Sequence, residues 1–300
     1  AVGEGVTNVK VGDHVVLNWV PSCTKCYYCR VGRPDMCEEA AKISVMGTML
    51  DGTTRFSLNG KRVYQFPLTG TFSEYTIVPE SSAIPIRKDI PFEYAALVGC
   101  CVITGVGAVI NTAKVEPGST VAVIGSGGVG FNVIQGAKLA GAKQIIAIDI
   151  LDEKLEKTKD FGATHTINAK EKDPVREVQK LTGGLGVDYA FEVIGRPETM
   201  EQAYMMLRKT GKAVVVGVAK PNDKVSINAF SLPFQSKTIT GSWLGQGNPP
   251  VDYPKLLDLN AAGKLQLEPL VSKVYTLDQI NEAFEDLKAG KNIRGVIRFD

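Results

Sequence analysis

Two hydrophobic rhythms divide the chain. From Val121 onward, short apolar runs alternate with segments whose apolar positions recur every three or four residues. The runs Val121–Ile124, Gln144–Asp149, Thr164–Asn168, Asp188–Val193, Ala213–Val218 and Thr238–Leu244 predict strands. The segments Val129–Leu139, Glu153–Phe161, Pro174–Leu181 and Pro197–Leu207 predict helices between them. Apolar strands alternating with helical crossovers imply an α/β fold built on a doubly wound, six-stranded parallel sheet. Ahead of this region the rhythm is shorter. Val9–Leu17, Arg62–Phe66 and Phe72–Val78 alternate or carry β-branched runs between Gly and Pro breaks, which predicts a β-rich region over residues 1–100. After Gly245 the pattern changes again, with helices expected at Pro254–Ala262 and Leu277–Ala289 and a last strand at Gly295–Phe299.

Composition narrows the class. Hydrophobic residues make up 44% of the 300 and charged residues 22%, as in a globular protein with a full core. A net charge of +2 gives no bulk electrostatic reason to expect a nucleic acid or a membrane surface as partner. No run of eighteen apolar residues is evident in the sequence, so a membrane span is not expected. The start, Ala1-Val-Gly-Glu-Gly5, has neither a basic region nor an apolar signal core.

Four of the six cysteines crowd one short segment, Cys23, Cys26, Cys29 and Cys37. Four thiolates this close in sequence can surround one tetrahedral Zn²⁺. The residues between them are polar or turn-forming and offer no core of their own, so a metal staple supplies what packing does not. Disulfides are the competing use. A chain with an ample apolar core has little need of them, which favours zinc and a reducing, cytoplasmic setting.

Gly125-Ser-Gly-Gly-Val-Gly130 follows the strand at Val121–Ile124 and opens the next helix. A Gly-rich turn alone would say little. In this context Gly125 permits a tight turn, Gly127 lets the backbone approach a pyrophosphate, and Gly130 allows close helix–strand packing, with Gly128 beside them in the same coenzyme-binding loop. The helix N-terminus would meet the phosphates with free N–H groups. Asp149 ends the second strand, where a carboxylate can accept hydrogen bonds from the adenosine ribose and repel a 2′-phosphate, favouring NAD over NADP. Asp149 could instead cap the following helix, a role Asp152 could also fill.

These motifs, with Asp51-Gly-Thr-Thr-Arg-Phe-Ser57, Gly70-Thr-Phe-Ser-Glu-Tyr75, Gly99-Cys-Cys-Val-Ile-Thr-Gly105, Phe191-Glu-Val-Ile-Gly-Arg196 and Asn292-Ile-Arg-Gly295, resemble the zinc-dependent medium-chain alcohol dehydrogenases, including their class III, glutathione-dependent formaldehyde dehydrogenase group. The resemblance runs the whole length of the chain. It implies a discontinuous GroES-like domain over residues 1–101 and 245–300, and a Rossmann NAD-binding domain over 102–244, with the active site in the cleft that joins them. It implies a structural zinc on the four-cysteine lobe and a second, catalytic zinc that activates a bound alcohol for hydride transfer to NAD.

The resemblance also assigns residues. Cys100 would be one catalytic zinc ligand, although a buried core thiol is the plainer reading, and Cys101 would pack. Thr104 would contact the nicotinamide. Val129 would pack on the coenzyme and Lys154 flank its adenosine ribose. Val193, Val216 and the backbone of Val218 and Leu244 would line the nicotinamide pocket, and Arg294 would pair with the pyrophosphate. Trp19, a strand residue equally suited to core packing, would line the substrate pocket opposite Phe66 and Pro67. The other two catalytic ligands would come from Cys and Gly-His-Glu segments ahead of Gly3-Glu-Gly-Val6, so the chain reads as a family member lacking several tens of N-terminal residues. His14 and His165 do not replace them. Pairing through Ser236–Trp243 implies a homodimer at least, and a tetramer as the next assembly.

Two readings of function remain open on the sequence. The first is a zinc-dependent oxidoreductase acting on a primary or secondary alcohol, or an aldehyde adduct, with NAD. The second is an NAD- and zinc-binding remnant without hydride chemistry. A quinone-reductase-like relative fits less well, because such relatives generally lack the cysteine lobe.

Overall fold

The computed structural model describes residues 1–65 and 68–299. The chain divides into two compact units, one formed by residues 1–103 with 247–300 and the other by 104–246.

The first unit opens with β1 (His14–Leu17), which pairs antiparallel with β4 (Ala83–Ile86), His14 facing Ile86 and Leu17 facing Ala83. A hairpin joins β2 (Phe56–Leu58) and β3 (Lys61–Val63) through Asn59-Gly60. Both turn residues have positive φ, 50° and 74°, the conformation a tight hairpin of this kind demands. The expected strand at Arg62–Phe66 is thus the shorter β3, and Phe66 and Pro67 lie outside the described residues. Phe72–Val78 forms no ladder. Phe72, Tyr75 and Ile77 are 60%, 87% and 57% exposed, so the alternation in sequence marks a face for which the unit provides no partner strand.

Helices occupy more of this unit than its sequence suggested. Glu38–Met46 is a helix that ends at Gly47 in the left-handed conformation. Phe92–Ala113, whose residues from Thr104 on belong to the second unit, is helical over 22 residues and apolar enough, by length and composition alone, to cross a membrane. Two-thirds of its most apolar window is buried, which identifies a core helix. Two stretches of it, Val98–Val102 and Ala108–Ala113, are wound as π-helix.

The second unit is built on a six-stranded parallel sheet. Its strands are β5 (Thr120–Ile124), β6 (Gln144–Asp149), β7 (His165–Asn168), β8 (Val187–Glu192), β9 (Leu207–Val215) and β10 (Thr238–Gly241). They lie in the order β10-β9-β8-β5-β6-β7. The chain leaves β5 toward β6 and β7, then returns to the other side of β5 for β8, so the loops after β5 and β8 meet where the winding reverses. All five residues of β5 are buried, as a central parallel strand covered on both faces requires. Helices Gly128–Leu139, Asp152–Phe161, Pro174–Leu181 and Pro197–Met205 cover the sheet. Phe131 and Phe161 pack edge to face at 4.8 Å.

Three strands stop earlier than the apolar pattern predicts. β8 ends at Glu192 because its own side chain takes the next two free N–H groups, those of Ile194 and Gly195. β9 ends at Val215, since Val216 and Gly217 donate to the Glu192 carbonyl. β10 ends at Gly241, and Leu244, Gly245 and Gln246 then turn left-handed with φ of 47°, 63° and 51°.

The chain re-enters the first unit through the helix Pro249–Ala261, then β11 (Val271–Tyr275), the helix Ile280–Lys288 and β12 (Arg294–Ile297), which pairs parallel with β11. Thr276 and Gln279 form a capping box at the entry to that helix.

Candidate metal lobe and nucleotide crevice

The four cysteine sulfurs Cys23, Cys26, Cys29 and Cys37 all lie within 4.8 Å of one another. A tetrahedral Zn²⁺ with bonds of about 2.3 Å would space its sulfurs by about 3.8 Å, so the set fits the ion closely. The local chain is shaped to this end. Tyr27–Arg30 is a single helical turn between the second and fourth cysteines. Arg33 grips the buried Asp35 with two hydrogen bonds of 2.9 and 2.7 Å, fixing the turn that delivers Cys37. The N–H groups of Cys23 and Cys26 point at the sulfurs of Cys37 and Cys23, each at 3.3 Å, as donors do toward thiolates. None of the four is disulfide-bonded. Backbone N–H groups of Cys29 and Glu38 hold the Cys26 thiol down at about 6, while burial pushes the adjacent Cys29 up. A divalent ion bound here would favour the thiolate form of its ligands.

The glycine-rich loop has the geometry a dinucleotide needs. Gly125 sits at φ +107°, and a Cβ there would strike Ile194 at 2.7 Å. A Cβ on Gly130 would lie 1.9 Å from the carbonyl oxygen of Gly125, so only glycine lets the helix close onto the strand. A Cβ on Gly127 would meet nothing within 4 Å, which leaves the backbone open to an incoming group. The helix Gly128–Leu139 starts at Gly127 with no side-chain cap and no acidic residue in its first turn. The buried Ser126 hydroxyl oxygen has no partner. Uncapped N–H donors, an idle hydroxyl and open space together fit a phosphate group.

Asp149 closes the crevice on the β6 side. Its Oδ2 accepts the Ser126 N–H at 2.6 Å, and its Oδ1 accepts those of Ile150 and Leu151 at 2.8 and 3.1 Å. The carboxylate therefore ties the glycine-rich loop to the end of β6. The helix that follows starts at Leu151 without a side-chain cap, so Asp149 is not its N-cap, and Asp152 already lies in the first turn. Lys154 is half-buried in that same turn. Val129, Val193 and Val216 are half-buried at the same end of the sheet, Val218 exposes its side chain, and Leu244 buries its own. Thr104 is half-buried at the start of this unit.

In the first unit, Cys100 is exposed on the π-helical stretch, and Cys101 beside it is buried. Tyr253 fixes this stretch by donating to the Gly99 carbonyl at 3.0 Å. Burial, followed by the Cys100 sulfur, pushes the Tyr253 pKa up. Gly99 lies against Val16 and Leu17, and the half-buried Trp19 follows two residues later, after an Asn18 whose side chain bonds Val20 at both ends. Arg294 lies against Cys101, whose sulfur raises its pKa ahead of Cys100, and its buried Nε has no partner.

Among the described residues, the four-cysteine lobe is the one group of three or more His, Cys, Asp or Glu placed to hold a metal. Cys100 has no such companions. His14 packs its ring on Phe92 at 4.5 Å and His165 bonds Thr164, so neither supplies one. The residues at Cys100 therefore do not by themselves make a zinc site.

Sequence reasoning missed Glu192. It is fully buried at the end of β8. The sequence carries no periodic signal for it, because Ala190, Phe191 and Glu192 are buried in succession on a strand covered on both faces.

Comparison with known proteins is consistent along the chain. Residues 1–88 match the family model described as alcohol dehydrogenase GroES-like domain, and residues 128–262 that described as zinc-binding dehydrogenase. The chain is 42% identical, over 99% of its length and 81% of the relative's, to an S-(hydroxymethyl)glutathione dehydrogenase of Synechocystis sp.. Two crystal structures superpose on the whole chain at 35% identity, covering 81% of each. One is an alcohol dehydrogenase zinc-binding domain protein from Burkholderia ambifaria, with a TM-score of 0.95. The other is benzyl alcohol dehydrogenase from Acinetobacter calcoaceticus, with a TM-score of 0.94.

Proposed function

Because the chain belongs to the zinc-dependent medium-chain alcohol dehydrogenase family, an oxidoreductase family of alcohols and aldehydes, we propose that it takes NAD rather than NADP and acts on a primary or secondary alcohol or an aldehyde adduct. Asp149 carries the coenzyme choice. A carboxylate half-buried at the end of β6, bonded to the N–H of Ser126 next to the open Gly127, accepts ribose hydroxyls and repels a 2′-phosphate. The adduct class is supported by the Synechocystis relative, whose name denotes a hydroxymethyl thioether as substrate.

The four-cysteine lobe holds a structural zinc in this reading. It would contribute folding energy and no chemistry, since a closed four-thiolate shell leaves no open position. Cys100 is the family-position ligand for a second zinc, which when bound would supply Lewis-acid activation of an alcohol. The chain's own residues would hold the coenzyme: the Gly128–Leu139 helix N-terminus takes the phosphates and Asp149 the ribose. The chain pairs with a second copy through β10, whose outer edge carries no ladder.

One observation favours a second reading, in which the chain binds coenzyme and one zinc without turnover: among the described residues, no group of three or more His, Cys, Asp or Glu includes Cys100. Elemental analysis of the purified chain, with alcohol oxidation assayed on NAD and on NADP, separates the two. Two zincs and NAD-linked turnover support the enzyme reading. One zinc with coenzyme binding and no turnover supports the second. Turnover that prefers NADP refutes the assignment of Asp149.

A further inference from the structure

We infer that Glu192 is a positioning residue for the nicotinamide half of the coenzyme, an inference that rests on the nucleotide reading above. Glu192 is 0% exposed at the C-terminal end of β8, and no Lys or Arg pairs with it among the described residues. Its Oε1 accepts three hydrogen bonds, from the N–H of Ile194 at 2.9 Å, the N–H of Gly195 at 2.8 Å and the Thr199 hydroxyl at 2.7 Å. Its Oε2 is buried without a partner. A carboxyl group kept in such a place costs more than an apolar residue of the same size. What it secures is local geometry.

That geometry concerns two loops in contact. The Glu192 carbonyl accepts the N–H of Val216 at 2.8 Å and of Gly217 at 3.1 Å, so the one residue ties down the ends of β8 and β9 together. Gly195, at φ +90°, and Gly217 touch, and a Cβ on Gly217 would fall 2.0 Å from the Gly195 nitrogen and 2.7 Å from Oε2. The carboxyl is wedged where the loops cross. The first loop then bears on the nucleotide site, because Ile194 and Val193 reach to 2.7 and 3.1 Å of where a Gly125 Cβ would stand.

Sheet order decides which half of the coenzyme is concerned. Asp149 lies on β6, on one side of β5, and β8 and β9 lie on the other. A dinucleotide that rests its adenosine ribose on Asp149 and its phosphates on the β5 loop extends its second half over the loops that Glu192 fixes.

The test is a pair of variants in the full chain. Glu192→Asp withdraws the carboxylate from the loop amides while keeping the charge, and Glu192→Gln keeps the reach and an accepting oxygen. Binding of NADH and of ADP-ribose, which lacks the nicotinamide, is measured by titration for each. The Asp variant should weaken NADH by about tenfold, because binding must then re-order loops that Glu192 no longer holds, with ADP-ribose affinity unchanged. The Gln variant should bind both as the unaltered chain does. Equal weakening of NADH and ADP-ribose, or unchanged NADH binding in the Asp variant, overturns the inference. An unaltered chain that binds neither ligand overturns the nucleotide reading instead. If Glu192→Asp does not fold, Thr199→Val removes one of the three donors and should show the same selective loss in smaller measure; a non-selective or absent effect there also overturns it.

Discussion

Gly127→Ala separates the architecture of the glycine-rich loop from its use. Gly127 has φ −95° and ψ −174°, extended backbone that alanine adopts without strain. Its added methyl would meet nothing within 4 Å. Replacing glycine by alanine at such a position gains about 0.4–1 kcal/mol through the unfolded chain. Losing glycine at an uncapped helix start costs about 0.5 kcal/mol. The net is within about 0.5 kcal/mol, a Tm change of no more than about 2 °C. If pyrophosphate rests on this backbone, the methyl stands between it and the N–H groups. Forfeiting one such charge-assisted bond costs roughly 1.5–3 kcal/mol, or about 10- to 100-fold in Kd. Gly130→Ala is the control with the opposite signature. Its methyl must displace the Gly125 carbonyl oxygen from 1.9 Å, and overpacking of this kind costs about 1–3 kcal/mol or more, several degrees of Tm. The assays are NADH fluorescence titration and thermal unfolding on both variants. NADH affinity unchanged in a Gly127→Ala chain of unchanged Tm would refute the placement of the phosphates, and a large fall in its Tm would refute the open space.

Asp149→Asn should raise the ratio of kcat/KM for NADP over NAD by about tenfold or more, since a charge facing a 2′-phosphate disappears. The ratio cancels any general disturbance of the loop that Asp149 ties down, and an unmoved ratio would remove Asp149 from coenzyme selection. Cys26→Ser should lower bound zinc by one equivalent per chain and loosen residues 23–37 to proteolysis, because zinc binding there is folding energy; full zinc content with an intact lobe would end the metal reading. Asp286 is held down at about 2 by Lys291, with Tyr275 and Lys273 adding to it. A depressed carboxyl pKa contributes stability above the unfolded value of about 3.9, lost as pH falls toward 2. Asp286→Asn should therefore flatten the acid limb of the first unit's unfolding curve between those values, and an acid limb identical to the parent's would show that Asp286 is not linked to it.

The sheet was legible because its signals are local and repeated. Val121, Ala122, Val123 and Ile124 form a continuous apolar run that only a strand buried on both faces accommodates. Helix starts and stops carried residue-level marks as well, such as Asp173-Pro174 ahead of Pro174–Leu181, where the Asp173 side chain caps two N–H groups. Strand ends were less legible. The ends of β8 and β10 are set by a side chain bonding its own backbone and by a left-handed turn, neither of which hydrophobic period records. The first unit was the least legible. Phe72–Val78 alternates as a strand does, yet pairing depends on a partner that alternation cannot name. Phe92–Ala113, which continues from the first unit into the second, was missed because Gly99, Gly105 and Gly107 interrupt its apolar run. Those glycines are set by contact: a Cβ at Gly105 or Gly107 would come within 2.6 or 2.5 Å of neighbouring backbone.

The functional residues divide along the same line. Cys23, Cys26, Cys29 and Cys37 could be read as one site because short spacing forces thiols together whatever the rest of the chain does. Gly125, Gly127 and Gly130 could be given separate duties because each duty is a backbone requirement, and the three differ in structure as the duties differ: positive φ, open space and contact at 1.9 Å. Glu192 belongs to another kind. Ile194, Gly195 and Thr199 reach its carboxyl from the next few residues, but Gly217, 25 positions on, reaches it only because β8 and β9 are adjacent. Spacing reveals residues that act on what is next to them in the chain. A residue that acts by joining two strand ends becomes visible only once the sheet order is known.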